Sequence, residues 1–224
     1  DLIMDDLIAC VNGYNYPSHV FSFNENVELK FENYRSLEKY ILKELESNDP
    51  NIIKNGLSNV LYWGHFRAGY RDVRVNKFRS KIKNEQLELF HNHIQNHSYG
   101  CQAIKRINMP EFSGLAFISK VLMFLDPSNY VTLDKKIMQL KDENNFNNPI
   151  TNIAFRVNDT SIRINDNSQF WYLKWCGLCK KIANEFFEDK IAADIERGFF
   201  RLVEKGQIEI AKNIIREITL SEPN

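Results

Sequence analysis

Apolar residues recur at helical spacing along most of the chain. Leu37, Tyr40, Ile41 and Leu45 follow Ser36, which can cap a helix, and Asp49-Pro50 opens a second helix through Ile53, Leu57, Val60 and Leu61. Pro110 is expected to start a third over residues 111 to 125, where Phe112, Leu115, Ile118, Val121, Leu122 and Leu125 keep the 3.6-residue period, and Asp126-Pro127-Ser128-Asn129 breaks it. Ser168 can cap a long helix, another begins near Asp189 and runs through Phe200, and Gly206 separates a last one ending near Ile218. Strand-like alternation is scarce. Val20-Phe21-Ser22-Phe23 and Val27 to Phe31 predict a small hairpin, whereas Ile150 to Ile164 fits neither period. The Asn-rich run DENNFNNP at 142 to 149 predicts a loop, which can also separate two helical lobes. The fold class is mainly α, with at most a small β-hairpin near the N-terminus.

Length and composition narrow the setting. The 224 residues allow one domain or two small lobes, and an aromatic content of 12% supports a sizeable core. Formal net charge is zero, so any attraction to nucleic acid must come from a local patch. Four scattered cysteines suit a reducing cytosol rather than a disulfide framework. No stretch approaches the ~20 apolar residues of a membrane span, and a cytoplasmic monomer without metal or cofactor is expected.

Three local features invite chemistry. KWCGLCK at 174 to 180 looks like a thioredoxin redox loop, but Phe170, Leu173, Leu178, Ile182, Phe186 and Phe187 flank it with helical period, which puts Cys176 and Cys179 one turn apart inside a helix. His91, His93 and His97 lack a carboxylate that would complete a zinc pattern, and a surface helix is the expected setting. Residues 60 to 83 carry Arg67, Arg71, Arg74, Lys77, Arg79, Lys81 and Lys83 against the single acid Asp72. Such a cluster can bind phosphates while Trp63, Phe66, Tyr70 or Phe78 stack or wedge. Trp63, Phe66, Tyr70, Val73 and Lys77 equally fit the inner face of one or two helices, leaving the cations solvated.

The stretch PEFSGLAFISKVLMFLDPSNYVTLDKKIM, residues 110 to 138, carries the most information. Gly114 and Lys120 accompany an apolar helix, Asp126-Pro127 breaks it, a β-branched and aromatic run follows, and Leu133-Asp134-Lys135-Lys136-Ile137 leads into a new helix. This order resembles the helix-hairpin-helix DNA glycosylases of the endonuclease III and 8-oxoguanine glycosylase superfamily, as a divergent branch. The chain departs from that family's pattern: the usual hairpin glycines are not all present, only 14 residues separate Lys120 from Asp134, and the four C-terminal cysteines of an iron-sulfur cluster are missing.

The resemblance implies a two-lobed helical bundle of the glycosylase type spanning 1 to 224, acting on a damaged or modified base in double-stranded DNA, in repair or phage defence. It implies that Asp134 stabilises an oxocarbenium-like sugar as the base leaves, and that Lys120 serves as an amine nucleophile with lyase activity. Gly114 and Ser119 would meet DNA phosphates beside Trp63, Arg67, Arg71, Arg74, Lys77 and Arg79. Trp171 or Trp175 would stack on an extruded base in a two-lobed cleft. Two other readings stay open: a non-catalytic helical DNA-binding module, in which Asp134 only caps a helix, and a helical protein-interaction module.

Overall fold

A computed structural model describes residues 2–156 and 158–221. Among the described residues it holds ten α-helices and one two-stranded antiparallel sheet, so the chain is mainly α with a small hairpin near the N-terminus. The helices are α1 (Asp5–Asn12), α2 (Tyr34–Leu45), α3 (Pro50–Gly64), α4 (Arg71–Lys81), α5 (Asn84–Gln95), α6 (Cys101–Arg106), α7 (Leu115–Leu125), α8 (Asp166–Phe186), α9 (Ala192–Glu204) and α10 (Ile208–Leu220). Strands β1 (His19–Ser22) and β2 (Val27–Lys30) pair His19 with Lys30 and Ser22 with Val27. No helix among the described residues is long and apolar enough to cross a membrane.

The chain divides into two compact units. The hairpin unit, Tyr16–Leu125, is built around α3, which packs against β1, α2, α4, α5 and α7 and is buried on nearly all sides. Asp49 caps this helix and Pro50 occupies its first turn, as the sequence predicts. Asn59 ties the sheet to it: the Phe21 N–H donates to Asn59 Oδ1 at 2.7 Å, and Asn59 Nδ2 donates to the Phe21 carbonyl at 3.1 Å. Both free edge groups of Phe21 are thereby satisfied.

The terminal unit joins Asp1–Asn15 to Asp126–Asn224. There α9 packs against α1, α8 and α10, with Trp175 and Phe199 fully buried and their ring centroids 5.4 Å apart. Gly198 sets the approach of α1 to α9, since an added Cβ would lie 2.4 Å from Val11 Cγ2.

Several element boundaries differ from the sequence expectation. Asn33, not Ser36, caps α2, with its side chain accepting from the Ser36 N–H at 3.0 Å. Asn165 caps α8 in a reciprocal box with Ser168. Helix α7 starts at Leu115 rather than at residue 111, because Glu111 adopts a left-handed φ of 69° that a continuous helix cannot accommodate. Helix α9 starts at Ala192, past Asp189, and extends to Glu204. The 142–149 run is irregular as predicted, but it lies inside the terminal unit and separates no lobes; the units change at Asn15 and Leu125. Described residues between 150 and 164 contain a 3-10 turn, Pro149–Asn152, and no strand.

Candidate active site

Asp134 stands in the terminal unit between the buried residues Val131, Thr132 and Leu133 and a one-turn 3-10 helix, Ile137–Leu140. The new helix expected after it is therefore only this turn, which ends at Lys141. The inner face of α8 holds the approach to it. Tyr172 donates its hydroxyl to the Val131 carbonyl at 2.7 Å, and Trp175 Nε1 donates to the Thr132 carbonyl at 3.3 Å. Asp134 itself is half-buried, and its Oδ1 accepts from the Ile137 N–H at 3.1 Å. Its second carboxylate oxygen has no hydrogen-bond partner among the described residues. Lys135 and Lys136 beside it are exposed. The arrangement fixes the carboxylate in orientation and leaves half its acceptor capacity open.

Lys120 is held differently, and it lies in the other unit. It is 6% exposed, its amine donates to the Ala116 carbonyl of its own helix at 3.2 Å, and its charge sits 4.5 Å from the Phe117 ring centroid. Phe117 stacks on His65 at 4.3 Å. Burial pushes the His65 imidazole down to about 4, with Lys120 and Arg74 adding to the effect, so a neutral ring faces the lysine. Ser119 is fully buried and spends its hydroxyl on the Ala116 carbonyl at 3.0 Å, which removes it from the expected phosphate contacts. Gly114 is half-buried, and its carbonyl accepts from the Ile118 N–H.

Comparison with protein-family models, curated proteins and solved structures returns no match. Side-chain geometry alone therefore bears on function.

The basic segment spans the end of α3, a turn and α4, and acids from distant positions partly neutralise it. Arg71 lies 2.9 Å from Asp72 and 3.9 Å from Glu28, with its guanidinium over the Tyr62 and Phe66 rings. Tyr62 donates its hydroxyl to the same Glu28. Arg74 and Lys77 share Glu111 at 3.4 and 3.8 Å. Arg79 turns inward, donating to Asn55 and Ser58 at 3.0 Å each, over the Phe23 ring. Arg67 is exposed and stands over Tyr16. Of the aromatic candidates, Trp63 and Phe78 are core residues and cannot wedge, whereas Tyr70 is 54% exposed. Val73, placed by the sequence on an inner face, is exposed instead, and Val75 and Phe78 make the buried stripe of α4.

Trp175 is fully buried, which rules out base stacking in this conformation, while Trp171 is half-buried. Cys176 and Cys179 lie within α8 as the periodicity predicts. Burial pushes the Cys176 thiol up to about 12 and that of Cys179 well above its usual range, the reverse of what a redox nucleophile needs. His97 falls past the end of α5 and so shares no helical face with His93. Among the described residues, no three His, Cys, Asp or Glu side chains are grouped to hold a metal ion.

The fold also gathers groups that sequence reasoning missed. Glu44 accepts from Asn59 Nδ2 at 2.8 Å, and burial raises its carboxyl to about 7 despite Asn59 and the charge of Arg79. The polar positions Asn55, Ser58 and Asn59, spaced for one face of an apolar helix, were the available signal of a buried polar cluster. Tyr172 and Trp175 emerge as positioning residues for the Asp134 segment, and nothing local in the sequence marks them as such.

Proposed function

We propose that the chain is a DNA glycosylase of the helix-hairpin-helix type in which Asp134 alone supplies the catalytic charge. The observation that carries the reading is the state of that carboxylate: one oxygen anchored on the Ile137 N–H, the other open, at a half-exposed position held from behind by Tyr172 and Trp175. Cleavage of an N-glycosidic bond draws positive charge onto the sugar. A fixed carboxylate stabilises that charge without reorganising and can orient a water toward C1′. Water then supplies the hydroxyl at C1′ and its proton leaves with the base, so hydrolysis balances without a covalent enzyme intermediate.

Lys120 does not enter this reading as a nucleophile. Its amine is buried on a helix carbonyl, far from the accessibility that attack on a sugar requires. The enzyme is therefore monofunctional, and the exposed Lys135 and Lys136 that follow Asp134 are side chains that phosphates can reach. Duplexes carrying a panel of damaged and modified bases, incubated with the protein and then treated with alkali, test it: strand breaks are expected only after alkali. Covalent trapping by borohydride would contradict the monofunctional assignment.

A second reading has its own observation. The bond from the Ile137 N–H also makes Asp134 an ordinary anchor of the turn that leads into the 3-10 helix, as in a DNA-binding module without catalysis. Salt-dependent duplex binding with no base loss across the panel selects that reading.

A further inference from the structure

The end of α2, the middle of α3 and the edge of the hairpin meet at one polar side chain. Asn59, fully buried, donates through Nδ2 to the Phe21 carbonyl at 3.1 Å and to Glu44 Oε1 at 2.8 Å, while its oxygen accepts from the Phe21 N–H at 2.7 Å. The hold on the backbone of β1 and the hold on the Glu44 carboxyl are therefore two ends of a single amide. The joint is also close-fitting between the helices: a Cβ added at Gly56 of α3 would lie 2.9 Å from Glu44 Cβ and 3.0 Å from the Leu45 nitrogen.

The charges around the joint leave Glu44 uncompensated. Arg79 of α4 is near enough to act on it, yet the guanidinium is engaged by Asn55 and Ser58 at 3.0 Å each and lies 3.9 Å from the Phe23 ring centroid. Among the described residues no ion pair joins it to Glu44. Lys54 of α3 lies by Arg79, and burial and that charge push its amine down. On α2 itself, burial and then the charges of Glu44 and Glu25 hold the Tyr40 phenol in its neutral form. The hairpin's own titratable pair, His19 and Glu28, 3.8 Å apart, faces Phe66, Tyr62 and Arg71 instead. Burial thus dominates and raises the Glu44 carboxyl to about 7.

We propose that Glu44 is a proton-operated latch: its protonated carboxyl closes the joint between α2, Asn59 and the Phe21 edge of the hairpin, and loss of the proton opens that joint while the rest of the fold stands. Below pH 4.5 the carboxyl is protonated in both the closed and the open joint, so pH has no effect. Between pH 4.5 and 7 the closed joint keeps the proton that the open one releases, and opening grows with pH. Above pH 7 both forms are ionised and the growth stops. The latch lies wholly in the hairpin unit and does not depend on the glycosylase reading, so failure of either leaves the other standing.

Amide hydrogen exchange of the full chain, followed by NMR and divided by the intrinsic rate at each pH, tests it at the Phe21 N–H. Opening is expected to rise about 30-fold between pH 5 and pH 7 and by less than about 2-fold from pH 7 to pH 8. The side chain of Glu44→Gln still accepts from Asn59 and never ionises, so its opening should stay within about 2-fold across the range. His19 and Glu28 are the same in both proteins and drop out of that comparison. At pH 7 the Phe21 N–H should exchange at least about 10-fold faster than that of Leu61, a core residue of α3, because the joint opens without the rest of the unit. Phe21 exchange independent of pH overturns the proposal. So does an equal pH dependence in Glu44→Gln, or a Phe21 N–H that exchanges no faster than that of Leu61, which would make the joint part of global unfolding.

Discussion

In the hairpin unit, cations that crowd a short stretch of sequence are met by acids, Arg71 by Glu28 and Arg74 and Lys77 by Glu111, and Lys120, farther along the chain, is held by the carbonyl of Ala116. In the terminal unit, Asp134 engages one oxygen with the turn it begins and keeps the other open. The two regions differ in where the partners come from. Glu28 lies more than forty residues before Arg71, and Glu111 more than thirty after Lys77, so a local count of seven cations against one acid overstates the field that DNA would meet. The partner of Asp134 is three residues away, so its state follows from local backbone geometry. On the proposed reading, the reactive group is the one that the fold fixes without satisfying.

The largest expected effect bears on that distinction. Asp134→Asn should lower single-turnover base release about 1,000-fold, as the loss of a positioned charge does. Its melting temperature should hold, because the amide oxygen can still accept from the Ile137 N–H. Trp175→Ala removes a fully buried ring together with its bond to the Thr132 carbonyl and should cost about 3–5 kcal/mol in urea unfolding. A cost near zero would break the claim that α8 supports the Asp134 segment from behind.

Glu44→Gln sharpens the other side of the comparison. The folded carboxyl keeps its proton up to about pH 7, against an ordinary value of 4.5, so above pH 7 the folded state bears the cost of a buried charge. Below pH 4.5 both folded and unfolded forms are protonated and that cost is gone. The variant should therefore be more stable than the parent at pH 8, by about 3 kcal/mol at most, with the gain shrinking through pH 7 and vanishing near pH 4. Denaturant midpoints measured across that range check the sign. Smallest of all, Tyr172→Phe leaves the Val131 carbonyl without its donor and should cost about 1 kcal/mol, read from the same unfolding curves.

Much of the helical framework was legible in the sequence because it rests on local rules. Asp49-Pro50 opens α3, Gly206 separates α9 from α10, and the period around KWCGLCK makes it helix rather than redox loop. Errors arose where two local solutions compete. Asn33 outcompetes Ser36 as a cap, and the apolar Phe112 joins the core from a turn rather than from a helix, so its period misled. On α4, Val73 and Val75 both fit a 3.6-residue pattern, and only packing against α3 decides that Val75 goes inside.

Asp134 could be singled out from its neighbours in sequence, but the burial of Lys120 could not. A lysine on an apolar helix reads as solvated until the elements packed around α7 are known. The same holds for Trp175, whose inward direction is fixed by α9 and by the Thr132 carbonyl rather than by anything beside it in the chain.

Single-turnover base release by Asp134→Asn and Lys120→Met, measured side by side on whichever duplex the parent protein cleaves best, tests the central claim most directly. The expected result is near-complete loss in the first and a rate within about 3-fold of the parent in the second. Base release that survives Asp134→Asn, or that disappears in a well-folded Lys120→Met, would contradict it.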